Sequence, residues 1–404
     1  MLCTENIVAV AKRENNTKRA YLVVNRIQGK HIPVTPSEAF GMFQALGKKV
    51  KDSYKGQPLL LVGFAETATA IGAAIAAELD VYYIQTTREC IPGVEYLYFS
   101  ESHSHATEQK LVKDGLDQII GKVSRIVFIE DEVTTGNTIL NIIRLIRCNY
   151  GEQMDFSVAS ILNGMDQGAQ EIYKKESIET LYLVKTNHSG YTEIASRFAG
   201  DGIYHKKDGT VSGRKSKVIF GQEGKIVFDP LSGEYGKEGI KEIKITGARN
   251  ARRLVKGSDY QESCQQLWEK VWKSDLFDCG RAWFEKGQSI LVLGTEEFMY
   301  PPLYVAEKLQ ALGYQVKCHA TTRSPIAVSM EDDYPLHERY ELTSLYDVGR
   351  TTYIYDLAGY DLVLVITDAP SQNRKGDCAG LISLQKALCS CGNQNIYCVR
   401  WCEK

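Results

Sequence analysis

Short continuous apolar runs, each ending in glycine or a polar turn and followed by apolar positions three and four apart, recur along the chain and predict strand–loop–helix units. Residues 21–24 read as a strand and Gly29-Lys30-His31-Ile32-Pro33 as a loop. A helix then starts at Thr35 or Ser37, either able to cap the first turn, with Ala39, Phe40, Phe43, Leu46 and Val50 on one face. The run 59–63 is apolar throughout, as strands buried on both faces of a parallel sheet are. It leads through Phe64-Ala65-Glu66-Thr67 into an Ala-rich helix over 69–79. Further strands are expected at 81–84, 97–99, 125–129, 156–161 and 181–184, with helices over 139–146 and 166–176. The alternation predicts an α/β fold with a mostly parallel, doubly wound sheet.

From about 199 to 246 the pattern gives way to Gly- and charge-rich sequence with short alternating runs at 217–220 and 225–228, which reads as β-hairpins and as the domain boundary. Beyond 250 the α/β pattern returns, with strands at 289–294, 315–319 and 360–366 and a helix over 302–312. This part repeats the first. Residues 60–63 align with 291–294, Thr86-Thr87-Arg88 with Thr321-Thr322-Arg323, and Ile129-Glu130-Asp131 with Ile366-Thr367-Asp368, in order and at near-constant spacing. The expected organisation is a first domain over 1–200, a Gly-rich β connector over 201–250, and a second, degenerate copy of the first fold over 251–404.

Composition bounds the function. The 404 residues suit two or three domains, and 44% hydrophobic residues suffice for a core in each. With 48 Lys+Arg against 50 Asp+Glu the net charge is -2, so no bulk charge points to nucleic acid or an acidic membrane, and a bound anion needs a local site. No apolar run approaches the ~20 residues of a membrane span. The first residues lack a signal-peptide pattern, so a cytoplasmic protein is expected. The 11 cysteines, odd in number and scattered, suit reduced thiols; Cys389, Cys391, Cys398 and Cys402 are spaced poorly for zinc.

The segment Glu130-Asp131-Glu132-Val133-Thr134-Thr135-Gly136-Asn137-Thr138 carries the most chemistry. A buried strand delivers two carboxylates at its C-terminal end, where open α/β sheets bind ligands, and a Thr/Gly loop then opens a helix whose N–H groups suit a phosphate. A ribose 5-phosphate satisfies both features, because its hydroxyls donate to carboxylates while its phosphate sits in the loop. The strand and this segment resemble the phosphoribosyl diphosphate (PRPP) motif of type I phosphoribosyltransferases: four apolar residues, two acidic, one apolar, two variable, then Thr and Gly. The resemblance implies that Glu130 and Asp131 hold the ribose hydroxyls and that Thr134, Thr135, Gly136, Asn137 and Thr138 hold the 5-phosphate. It also implies a diphosphate loop at Phe64, Ala65, Glu66 and Thr67, where the charge of Glu66 is awkward. Mg2+ bridging the diphosphate is implied too, meeting Glu130 and Asp131 mostly through PRPP and water.

The family carries a closing catalytic segment between these loops, which here contains Arg88, His103 and His105. Arg88 is the natural diphosphate partner through its planar fork. His103 and His105 either bind phosphate and move a proton or belong to a polar loop. The stretches GKHIPVTP, GFAETATAIG, TTRE, SHSHA and EDEVTTGNT together resemble orotate phosphoribosyltransferase-like proteins with a C-terminal TRSP domain, whose name-giving residues are Thr322-Arg323-Ser324-Pro325 here. Members are associated with bacterial tellurium-resistance and stress clusters. The resemblance implies a transferase that moves ribose 5-phosphate from PRPP to a nitrogenous base-like acceptor with release of diphosphate, in making a nucleoside-like metabolite; the alternative is a non-catalytic PRPP-binding regulator or scaffold. Such enzymes often pair as dimers that lend basic loop residues across the interface; here the second unit is read as packing like a pseudo-partner, with a homodimer as the other option and neither nucleic acid nor membrane as partner. Lys30 and His31 either meet the acceptor or diphosphate or form a turn set by Pro33. Arg323 and Ser324 either reach the first site, form a second one, or turn the chain.

Overall fold

A computed structural model describes residues 4–14, 19–99, 109–213, 240–274, 287–370 and 379–403. Strands β1 (Val8–Lys12) and β2 (Tyr21–Asn25) form an antiparallel hairpin. Helix α1 (Pro36–Ser53) follows, with Pro36 at its first turn and the Glu38 carboxylate accepting the Thr35 N–H at 3.0 Å, which fixes the start of the helix. The first core is β3 (Leu59–Gly63), α2 (Thr69–Leu79), β4 (Tyr82–Gln85), β5 (Arg125–Val133), α3 (Asn137–Tyr150), β6 (Asp155–Asn163), α4 (Gln167–Lys175) and β7 (Ile178–Lys185). Its strands lie in the order β4-β3-β5-β6-β7, all parallel, the doubly wound arrangement expected from the apolar runs.

A second core contains strands that the hydrophobic pattern did not suggest. It comprises β8 (Ile203–His205), β9 (Lys241–Thr246), β10 (Val255–Lys256), α5 (Gly257–Trp272), β11 (Ser289–Gly294), α6 (Tyr300–Ala311), β12 (Gln315–Ala320), β13 (Glu338–Thr343), β14 (Thr351–Tyr355), β15 (Leu362–Thr367), α7 (Ala379–Ser390) and β16 (Ile396–Cys402). The order β9-β16-β15-β11-β12 is again all parallel. Apart from the edge strand β9, which precedes the unit in sequence, it repeats the connectivity of the first sheet. The aligned landmarks therefore fall at equivalent strand ends. The segments 217–220 and 225–228 lie outside the described residues.

The two sheets pack through α1, α2, α5 and α6, and one apolar cluster runs from Phe43 and Ile75 to Leu267 and Val305. Each core also lends a residue to the other's edge. Val34, just before α1, pairs antiparallel with Cys318 in β12, and Val255, just before α5, pairs antiparallel with Tyr83 in β4. Exposed strand edges are thereby covered reciprocally. Among the described residues no helix is long and apolar enough to cross a membrane.

Candidate active site

In the first sheet β3 and β5 are neighbours, so the loops leaving their C-terminal ends open a crevice at the topological switch point. The sequence places the acidic residues after the strand; instead β5 continues through Glu130, Asp131 and Glu132 because it stays paired with β6, Glu130 opposite Ser160 and Glu132 opposite Leu162. The Thr67 hydroxyl donates to Asp131 Oδ1 at 2.7 Å, which ties the two loops together across the crevice. Glu132, standing where the motif has an apolar residue, is held by Arg19 in two bonds of 2.8 and 2.7 Å and lies 3.5 Å from His188 Nε2.

Burial pushes all three carboxyls above their usual range, and the charge of Asp131 pushes Glu130 further. A carboxyl with a raised folded pKa weakens the fold as pH rises through that pKa, since the unfolded chain ionises it more easily. Glu130→Gln is therefore expected to stabilise the ligand-free protein at neutral pH by about 1 kcal/mol, read by urea unfolding; a loss of stability would contradict this account.

The loop into α3 turns on Gly136, whose φ of +71° is left-handed. The Tyr173 hydroxyl donates to its carbonyl at 2.8 Å, and a Cβ there would come within 2.3 Å of that hydroxyl oxygen. Thr135, Asn137 and Thr138 are exposed beside the helix start, so its N–H groups face an open cradle. Gly136→Ala is expected to cost about 1–3 kcal/mol from the strained backbone and the clash, read by urea unfolding.

On the opposite side Phe64 packs its buried ring on Phe99 and Phe128, and the Ala65 N–H donates to the Thr86 hydroxyl at 2.8 Å. Glu66 turns its carboxylate away from the crevice into the contact between the cores. There it pairs with Lys30, accepts the Arg323 N–H at 3.3 Å and lies 3.9 Å from Arg323 Nε. Burial raises the Glu66 pKa, but Lys30, Arg323 and Arg88 outweigh it and hold the carboxyl below its usual range. This resolves the awkward charge.

Lys30 is 1% exposed, and its ammonium also donates to the carbonyls of Glu296 at 2.6 Å and Thr321 at 2.9 Å. The ammonium thus meets three acceptors inside the protein, in the contact between the cores. His31 is also buried; burial and then the Lys30 charge press its pKa to about 3, so it is a neutral interior ring edge-on to Tyr355. Ser324 closes a turn, its carbonyl accepting the Tyr355 hydroxyl at 2.6 Å. His103 and His105 lie outside the described residues.

Arg88 donates its backbone N–H to Glu297 Oε2 at 3.3 Å, while its guanidinium has no hydrogen bond or ion pair among the described residues. Burial lowers the Arg88 pKa, as it does that of Arg13, whose next cause is the Arg19 charge. Arg13, Arg19, Tyr21, His188 and Tyr191 are absent from the sequence prediction. They gather because the β1–β2 hairpin folds over the ends of β5 and β7. Tyr21 bonds His188 Nδ1 at 3.0 Å, His188 stacks on Tyr191 at 4.7 Å, and Arg19 lies 4.5 Å over the Tyr21 ring. The acidic residue at an apolar motif position, Glu132, was the one signal that a basic partner existed.

At the equivalent strand ends of the second core the described side chains pair with one another. Asp368, the counterpart of Asp131, pairs with Arg252 and accepts the Tyr346 hydroxyl at 2.6 Å, while Thr295 and Thr367 bond each other at 2.8 Å. Among the described residues no group of three or more His, Cys, Asp or Glu side chains could hold a metal.

Residues 7–188 match the family described as phosphoribosyl transferase, and residues 261–384 match the TRSP domain described as C-terminal to that transferase domain. The fold is similar to solved structures of adenine phosphoribosyltransferase from Rhodothermus marinus DSM 4252 (14% identity, 45% of this chain and 96% of that chain, TM-score 0.35) and from Leishmania tarentolae (18%, 45% and 85%, 0.33). It is also similar to orotate phosphoribosyltransferase from Aeropyrum pernix (16%, 47% and 93%, 0.30). Comparison with curated proteins gives no match. With the two domain matches following one another along the chain, this protein belongs to the phosphoribosyl transferases that carry a C-terminal TRSP domain and is an enzyme of that class.

Proposed function

We propose that the crevice between β3 and β5 binds PRPP and that the enzyme moves ribose 5-phosphate to a nitrogenous, base-like acceptor with release of diphosphate. The observation that carries this reading is the pairing, at one switch point, of strand-end carboxyls with an open Thr/Gly helix start. Glu130 and Asp131 accept the ribose hydroxyls, and Thr134 to Thr138 hold the 5-phosphate. The backbone N–H groups of Glu66 and Thr67 and the guanidinium of Arg88 receive the diphosphate, while those of Phe64 and Ala65 donate to Ile129 and Thr86 and fix the loop. Tyr21, edge-on to both His188 and Tyr191, which stack on each other, forms with them an aromatic cluster beside these residues for the acceptor.

The residues suit an ion carried in by the substrate, because burial raises the pKa of Glu130 and Asp131 and leaves their charge in want of a cation. Mg2+ would neutralise the departing diphosphate, and Glu130 and Asp131 would meet it through PRPP and water. The protein's own work is positioning and charge stabilisation: the carboxylates fix the ribose while Arg88 takes up charge on the leaving group, and the acceptor nitrogen attacks C1. No side chain acts as a covalent nucleophile. The test is Mg2+-dependent diphosphate release from PRPP across a panel of nitrogenous bases. Release with one of them supports the reading; tight PRPP binding without release for any acceptor would replace it with a PRPP-binding regulator.

A further inference from the structure

The two cores face each other about a pseudo-two-fold axis, and the loops after β3 and β11 meet there with matched contacts. Glu66 accepts the Arg323 N–H and Glu297 accepts the Arg88 N–H, each at 3.3 Å. Lys30 pairs with Glu66, and Arg252 pairs with Glu297 at 2.5 Å. Thr86 accepts the N–H of Ala65 at 2.8 Å, as Thr321 accepts that of Glu296 at 3.0 Å.

The symmetry breaks at the two arginine side chains. Arg323 is gripped by Glu296 in its own core, at 2.5 Å, and by Glu89 from the opposite core. Arg350 bonds the same two carboxylates, at 2.8 and 2.6 Å, and fixes them. In the positions related by the pseudo-dyad, Arg88 has Ala65 where Arg323 has Glu296, and Ser324 where Arg323 has Glu89. Neither offers a carboxylate. A guanidinium with two carboxylate partners is neutralised, whereas one without them keeps its full fork for an incoming anion.

We infer that Ala65 and Ser324 are positioning residues that decide which core is competent: by withholding carboxylates they leave the Arg88 guanidinium free for diphosphate, while Glu296 and Glu89 withdraw Arg323 from ligand binding. The inference rests on the proposed function and deepens it, because it assigns the TRSP segment a role in the first site. A serine in that segment, where the other arginine meets Glu89, keeps a carboxylate off the diphosphate arginine.

The test measures binding of diphosphate and of ribose 5-phosphate separately, by calorimetry with Mg2+, in the full chain. Ser324→Glu is expected to weaken diphosphate at least tenfold while changing ribose 5-phosphate less than threefold. Ser324→Gln, of the same size without the charge, is expected to weaken diphosphate less than threefold. Ala65→Glu is expected to act in the same direction as Ser324→Glu. Should Ala65→Glu fail to fold in its buried place, the Ser324 pair still decides. Equal losses in Ser324→Glu and Ser324→Gln, or diphosphate affinity unchanged in Ser324→Glu, would overturn the inference. A wild-type protein that binds neither ligand would instead overturn the proposed function.

Discussion

Asp131→Asn is expected to lower Mg2+-dependent diphosphate release about 100-fold, with the protein still folded. The substitution keeps an oxygen to accept the Thr67 hydroxyl, so the tie across the crevice survives. What it removes is the charge that, on the proposed reading, accepts a ribose hydroxyl, and a hydrogen bond to a charged group contributes roughly 1.5–3 kcal/mol, or about 10- to 150-fold. The same residue sets a pH dependence. Burial raises the Asp131 and Glu130 pKa values, so as pH falls these carboxyls take up protons earlier than exposed ones would, and turnover is lost on the acid side accordingly. Asp131→Asn should lose part of that acid limb. Steady-state rates across pH check both points; a variant with wild-type rates would remove Asp131 from the site.

Lys30→Met is expected to destabilise the fold by about 3–5 kcal/mol, the usual cost of leaving one member of a buried ion pair uncompensated. Glu66 would keep only the more distant charges of Arg323 and Arg88, and the carbonyls of Glu296 and Thr321 would each lose a donor. Adding Glu66→Gln removes the stranded charge and should recover most of the loss. The wild-type pair has a further signature. The Glu66 pKa is held below its unfolded value, so its stabilising contribution is complete above the usual carboxylate range and is lost as pH falls through the lowered folded value. Urea unfolding at neutral and acid pH measures these effects; a Lys30→Met protein within about 1 kcal/mol of wild type would show that the pair does not stabilise the interior.

Individual elements show what was legible beforehand. The run 59–63 and the helix over 69–79 appear as expected because a wholly apolar strand and an Ala-rich helix admit few other solutions. The segment 130–138 was equally readable as the end of a strand, a glycine turn and a helix start, and it forms those elements. By contrast β13, β14 and α5 were missed. In β13 the apolar positions are interleaved with the charged Arg339 and Glu341, and Arg339 finds its partner Glu14 at the far end of the chain. The hairpin carrying Arg19 and Tyr21 was seen as a strand but not as part of the site, because its meeting with His188 and Glu132 spans more than a hundred residues.

The sequence by itself determined the α/β class, the internal repeat, the strand–loop–helix at 130–138 and the transferase family, because each is written in local residue order and in the period of apolar positions. Only the tertiary structure decided where the charges go. Glu66, troublesome in a diphosphate loop, is neutralised by Lys30 and Arg323 brought from distant parts of the chain. Two arginines in equivalent tripeptides, identical in sequence, differ in partners. Electrostatic pairing depends on distance in space, and the fold sets that distance by docking one copy of the unit against the other.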